Sequence, residues 1–186
     1  MKQGKYLKFI PSEYQKSVKN IDFLHLYHAG FRTLFIDIDN TLVSYKEHHL
    51  TDELKSFLDQ IKAIGFQLVL ISNNKQPRVE TFVGNHDYPY VFNARKPLKR
   101  GFKKGMHLVN ELDPKKVVHV GDQVMTDILG GNRMGFYTIL VSAIERKSDI
   151  LPTRINRKME AFFIKKVKKH QKALYESRLR PYVETL

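Results

Sequence analysis

Four short apolar runs, spaced by stretches of helical pattern, set the tightest limit on what this chain can fold into. They are "TLFIDI" (33–38), "FQLVLIS" (66–72), "KVVHVGD" (116–122) and "FYTILVS" (136–142). Each is nearly continuous in Val, Ile, Leu and Phe, the composition of strands covered on both faces. "YVFN" (90–93) is a shorter and weaker fifth candidate. Between them the spacing predicts helices over about 52–64, 75–84, 99–111 and 125–133. Thr51 is placed to cap the first of these, with Asp52 and Glu53 in its first turn and Gly65 closing it. This alternation predicts an α/β fold: a Rossmann-like parallel sheet of about five strands with helices on both faces.

The 186 residues suit a single domain, with a core over about 30–150. An N-terminal extension (1–29) and a basic segment after Pro152 flank it, the latter expected to be one long helix over 153–186. With no cysteine in the chain, disulfides, thiolate zinc sites and cysteine nucleophiles are excluded. No apolar run is long enough to span a bilayer, and the N-terminus lacks a secretory signal pattern, so a cytoplasmic protein is expected. The net charge of +13 favours phosphate-rich partners: nucleic acid, ribosome, anionic membrane or phosphorylated substrate.

In a parallel α/β sheet, ligands sit at the carboxyl ends of the strands. Asp37 and Asp39 follow the first run, Ser72, Asn73 and Asn74 the second, Lys96 the weak third, and Asp122 and Asp127 the fourth. Taken singly, each has a plain explanation as a turn, a cap or a surface group. Together they place several carboxylates on one edge, where they repel one another unless a cation sits between them. Oxygen ligands without Cys or clustered His favour Mg²⁺ over zinc. A lysine and a hydroxyl at the same edge suit a phosphoryl group. Asp37 and Asp39, two residues apart in extended chain, face the same side; one could attack phosphorus while the other handles the leaving-group proton.

"DIDNTL", "SNN", "KP" and "GDQVMTD", in this order, resemble the four motifs of the haloacid dehalogenase (HAD) phosphohydrolases, over roughly residues 30–142. The resemblance implies that Asp37 is the nucleophile and forms an aspartyl-phosphate, and that Asp39 is the general acid and then the base. It implies that Ser72, Asn73 and Lys96 bind the phosphoryl group. Asp37, the backbone carbonyl of Asp39 and Asp122 would hold Mg²⁺, with Asp127 supporting them from behind. The motif spelling is most similar to subclass IIIA, the YqeG-type proteins, whose mitochondrial relatives dephosphorylate phosphatidylglycerophosphate.

The intervals 39–72 and 72–96 are too short for an inserted cap domain, so an open site is expected. Residues 153–186 carry ten Lys/Arg against three Glu, and Ile155, Met159, Phe163, Val167 and Leu174 fall near one helical face, with Phe162 beside it. Such a helix can pack on its own domain, lie on an anionic membrane through 153–180, or meet RNA or the ribosome. Phosphatidylglycerophosphate is the leading substrate; a phosphoprotein or a small soluble phosphate is the alternative, and an RNA- or ribosome-binding role on the same scaffold the rival from another class. "GGNRMG" (130–135) reads as a helix terminus, His25, His28, His48 and His49 as surface or packing groups, and His119 as a satisfied core histidine.

Overall fold

The computed structural model describes residue 4, residues 6–146 and residues 151–186. Each apolar run forms a strand: β2 (Thr33–Asp37), β3 (Gln67–Ile71), β5 (Val117–Gly121) and β6 (Tyr137–Val141), with Tyr90–Val91 as a two-residue β4. A sixth strand, β1 (Glu13–Gln15), lies in the N-terminal segment. It has no apolar run because it is an edge strand with all three residues half-buried, and it pairs only with β6. The sheet is wholly parallel, in the order β1-β6-β5-β2-β3-β4. The chain therefore builds outward from β2 in one direction and then returns to its other side with β5. That reversal makes the carboxyl ends of β2 and β5 the topological switch point, where ligands bind in such sheets.

One face is covered by α1 (Phe23–His28), α2 (Asp52–Ile64) and α3 (Gln76–Val83). Leu58, Ile61 and Phe82 from these helices close over Ile36, Leu70 and Val120. Thr51 caps α2 by accepting from the Leu54 amide at 3.3 Å, and Gly65 ends it at φ +117°, a left-handed backbone that glycine adopts without strain. The opposite face is covered by α4 (Lys99–Leu108), whose Phe102 and Met106 meet Phe35 and Val69. A π-helical turn (Val124–Ile128) running into α5 (Leu129–Met134) adds to that face, as does the C-terminal segment. The helix expected at 125–133 thus begins as a wider turn, in which the Ile128 amide reaches back five residues to the Gln123 carbonyl. Such bulges occur often at functional sites.

The C-terminal segment differs from the single helix expected. α6 (Leu151–His170) stops at Gln171, and short helical turns carry the chain to Val183. The break lets Tyr175, Leu179 and Tyr182 fold back into the cluster formed by Phe9, Val124, Ile128 and Leu140. A straight helix would carry those three side chains off the domain. The apolar stripe also divides: Phe163, Val167 and Leu174 turn inward, whereas Ile155, Met159 and Phe162 stay about half exposed. Lys166 lies over the Phe162 ring at 5.3 Å.

Candidate active site

β2 ends at Asp37, and the next turn brings Asp39 to the same edge; both are almost fully buried. Lys96 reaches them from the loop after β4. Its ammonium bridges Asp37 Oδ1 at 2.5 Å and Asp127 Oδ1 at 2.7 Å. Asn73 holds the backbone of that loop: its Oδ1 accepts from the Lys96 amide at 2.7 Å and its Nδ2 donates to the Lys96 carbonyl at 3.1 Å. Asn73 lines the cavity, but both ends of its amide are engaged in positioning Lys96.

Asp39 is gripped from the second strand end. Ser72 Oγ donates to Oδ2 at 3.0 Å and Asn74 Nδ2 to the same oxygen at 2.8 Å. Arg78, in the first turn of α3, donates to Oδ1 at 3.1 Å. From the β5 end, Asp122 and Asp127 are both fully buried. Asp127 Oδ2 accepts from the Gln123 amide and Thr126 Oγ1, and Nε2 of His119 lies 3.2 Å from its Oδ1. His119 Nδ1 faces the Phe35 carbonyl, so the histidine is a buried, satisfied group that orients Asp127. Gly121 makes this approach feasible: a Cβ there would lie 2.3 Å from Asp127 Cγ.

Asp122 is held by a residue of the C-terminal helix. Arg157 donates to its backbone carbonyl at 2.7 Å and ion-pairs with its Oδ2. The N-terminal turns of α6 also supply Thr153 and Asn156 to the wall of a cavity of about 180 Å³ that Ser72 and Lys96 line as well. Tyr45, from the loop after β2, completes that wall and meets Thr153 Oγ1 at 3.2 Å. No domain interrupts the motifs: residues 40–71 hold a loop, α2 and β3, and residues 73–95 hold α3 and β4. The site is nevertheless partly covered, by α6.

The electrostatics follow from burial. Burial pushes the Asp37 carboxyl well above its ordinary value, against the pull of Lys96. Burial likewise pushes Asp122 up to about 7, with Arg157 opposing and Asp127 adding to the rise. For Asp127, burial acts the same way, but Lys96 and the His119 hydrogen bond outweigh it and hold the carboxyl below its usual range. Burial works against the charge on Lys96, yet Asp127 and Asp37 prevail and its pKa is raised. Lys96 is therefore a permanent cation.

Single oxygens of Asp37, Asp122 and Asp127 lie within 4.8 Å of one another. Asp122 Oδ1 is buried with no hydrogen-bond partner among the described residues, an atom that a cation would satisfy. In this nearly buried cluster Lys96, Arg78 and Arg157 pair with Asp37, Asp39, Asp122, Asp127 and Glu160, and Arg146 joins the network through Tyr182 Oη. The all-oxygen donor set of Asp37, Asp122 and Asp127 suits a hard cation. These residues fit a divalent metal. The carboxylate of Asp39 is not part of the trio.

Sequence patterns brought Asp37, Asp39, Ser72, Lys96, Asp122 and Asp127 together, and the structure does the same. They did not single out Arg78, Tyr45, Arg157 or Glu160. Glu160 did carry a signal: it is the one acid in the basic stretch 154–169, three residues from Arg157. His25, His28, His48 and His49 are exposed.

A parallel sheet here gathers carboxylates, a buried lysine and a hydroxyl around one small cavity at its carboxyl edge, an arrangement suited to a phosphoryl group. Residues 21–135 match the haloacid dehalogenase-like hydrolases, and the chain belongs to that family. Over 161 residues it is 34% identical to "Probable phosphatase YqeG" of Bacillus subtilis (strain 168), covering 87% of this chain and 92% of the relative. It is 25% identical to a chloroplastic/mitochondrial phosphatidylglycerophosphate phosphatase 1 of Arabidopsis thaliana, over 84% of this chain and 47% of that one. An uncharacterized protein from Listeria monocytogenes serotype 4b, known from its crystal structure, aligns with 73% of this chain and 99% of its own at 18% identity and a TM-score of 0.49.

Proposed function

We propose that this protein is a Mg²⁺-dependent phosphomonoesterase that works through an aspartyl-phosphate on Asp37. The observation that carries the reading is the convergence of Asp37, Asp39, Ser72 and Lys96 on one cavity. An Asp37 oxygen attacks phosphorus as the P–O bond to the leaving group breaks. Lys96, already seated on Asp37, offsets the repulsion between the carboxylate and the phosphoryl oxygens. Asp39 hands its proton to the departing alkoxide. It then takes a proton from the water that cleaves the aspartyl-phosphate and releases inorganic phosphate. Among the described residues Oδ1 accepts from Arg78 alone, against two donors on Oδ2, and so has the more room to carry that proton. Ser72, and the backbone around Asn73, are placed to meet the phosphoryl oxygens. Mg²⁺, held by Asp37, Asp122 and the Asp39 carbonyl with Asp127 behind them, would supply charge neutralisation for the transferring group.

Two observations favour a large, membrane-borne substrate such as phosphatidylglycerophosphate. The cavity of about 180 Å³ takes a phosphoryl group and its nearest neighbours, so the rest of a lipid would remain outside. Beside it, α6 presents Ile155, Met159 and Phe162 to solvent, flanked by the exposed Lys158 and Lys165. Each basic residue held near an anionic leaflet contributes about 1 kcal/mol. The similarity to the Arabidopsis phosphatidylglycerophosphate phosphatase points the same way. Among the described residues no helix is long and apolar enough to cross a membrane, so the contact proposed for α6 is a peripheral one. The test is phosphate release from phosphatidylglycerophosphate in anionic vesicles, with soluble p-nitrophenyl phosphate in parallel and Mg²⁺ varied. Strong preference for the lipid is expected. Turnover of the soluble ester alone would remove the lipid and leave phosphoproteins or small phosphates.

A further inference from the structure

Asp122 is the active-site carboxylate whose charged partner comes from the C-terminal helix. Asp37 and Asp127 share Lys96, and Asp39 is held by Ser72, Asn74 and Arg78. On Asp122, Arg157 spans two acceptors of one residue, the backbone carbonyl and Oδ2. A planar guanidinium bridging both fixes the rotation of the carboxylate as a single donor would not. It engages Oδ2 and leaves Oδ1 buried without a hydrogen bond among the described residues.

Arg157 is fixed in turn. Its guanidinium lies 3.5 Å from Glu160 Oε2 and donates to Tyr182 Oη at 3.2 Å. Tyr182 donates to Glu160 Oε1 at 2.5 Å, and Glu160 Oε2 accepts from the Val124 amide at 3.0 Å. Val124 opens the turn that carries Asp127. Glu160 and Tyr182 are buried within an interface otherwise made of Val124, Ile128, Leu140, Ile164 and Val167. Burying so many polar groups in an apolar contact is unfavourable unless they are mutually satisfied, as these are.

Resting on the reading of Asp37, Asp122 and Asp127 as a divalent-cation site, we propose that Arg157 is a positioning residue of that site, supplied in cis by the C-terminal helix. Cation loading and the seating of α6 are then coupled, and the coupling is reciprocal: a seated helix tightens the cation, and the cation tightens the helix.

The test is Mn²⁺ binding to the full chain, followed by the electron paramagnetic resonance signal of the free ion. Arg157→Met keeps the stem and removes the fork; Arg157→Lys keeps the charge but cannot span both acceptors. Both are expected to weaken Mn²⁺ binding by about tenfold or more, the usual scale for residues that orient metal ligands. Tyr182→Phe, which keeps the ring and removes the hydroxyl, should cause a smaller loss in the same direction. In the wild type, Mn²⁺ should slow amide hydrogen exchange over residues 157–167; in Arg157→Met it should not. If the methionine variant does not fold, the lysine and Tyr182→Phe variants decide the matter. Equal or tighter Mn²⁺ binding in the variants, with normal binding in the wild type, overturns the proposal alone; removing a nearby positive charge would tighten binding if charge were all that mattered. Failure of the wild type to bind Mn²⁺ overturns the cation site as well.

Discussion

At the scale of single residues, the site works by setting one carboxyl against another. Burial raises Asp122 from an ordinary 3.8 to about 7, whereas Asp127, five residues on and equally buried, is held low by Lys96 and His119. The difference lies in the partner, not in the depth. The sign of the pH effect follows. Because the folded-state value of Asp122 lies above its unfolded value, its proton stabilises the metal-free fold most below pH 3.8. That contribution is lost as pH rises through about 7. A divalent cation takes the ionised form, so each pH unit below 7 should cost its apparent binding at least about 1.4 kcal/mol, the one-proton value for Asp122, to which the raised Asp37 adds. The gain in Tm from a fixed Mg²⁺ concentration, measured against EDTA, should therefore be larger at pH 8 than at pH 6. A gain independent of pH would mean that Asp122 does not hold the metal.

At the scale of elements, α6 presents two different faces, and the proposed function gives each a separate task. Its inner face seals the core with Ile164 and Val167 and sends Arg157 to Asp122. Its outer face presents Ile155, Met159 and Phe162. Deleting the helix would uncover Val124, Ile128 and Leu140 and remove Arg157 together, and so would not separate the tasks. Replacing Ile155, Met159 and Phe162 by serine does. Burying one such side chain is worth about 1.5–3 kcal/mol, so the triple variant should partition at least about tenfold less onto anionic vesicles. Its turnover of a soluble ester should stay within about twofold of the wild type. Unchanged partition, read by vesicle sedimentation, would show that this stripe is not the membrane contact.

At the scale of the whole molecule, the chain is a parallel sheet whose two terminal segments complete it. The sheet interior was legible because strands buried on both faces need unbroken apolar runs, and β2, β3, β5 and β6 have them. The gathering of Asp37, Asp39, Lys96 and Asp122 was legible because each follows a strand of one parallel sheet, which brings them to a single edge. β1 was not, since a three-residue edge strand needs no apolar signature. The division of the C-terminal stripe was not either: each i, i+4 step drifts by about 40°, so Ile155 and Val167, three such steps apart on α6, point roughly 120° apart. Arg157 was concealed by its own composition, one of ten basic residues in a segment whose charge suggested solvent or phosphate.

The central claim is that Asp37 carries the phosphoryl group. In an Asp39→Asn variant, p-nitrophenyl phosphate needs no acid, because its leaving group is stable as an anion, but hydrolysis of the intermediate loses its base. Mixing this variant with the ester and Mg²⁺, quenching in acid and mapping the peptides by mass spectrometry tests the claim most directly. The account predicts a burst of p-nitrophenolate equal to the protein present and a hydroxylamine-labile phosphoryl group on Asp37. A phosphoryl group on another residue, or turnover that persists when Asp37 is also replaced by Asn, would contradict it.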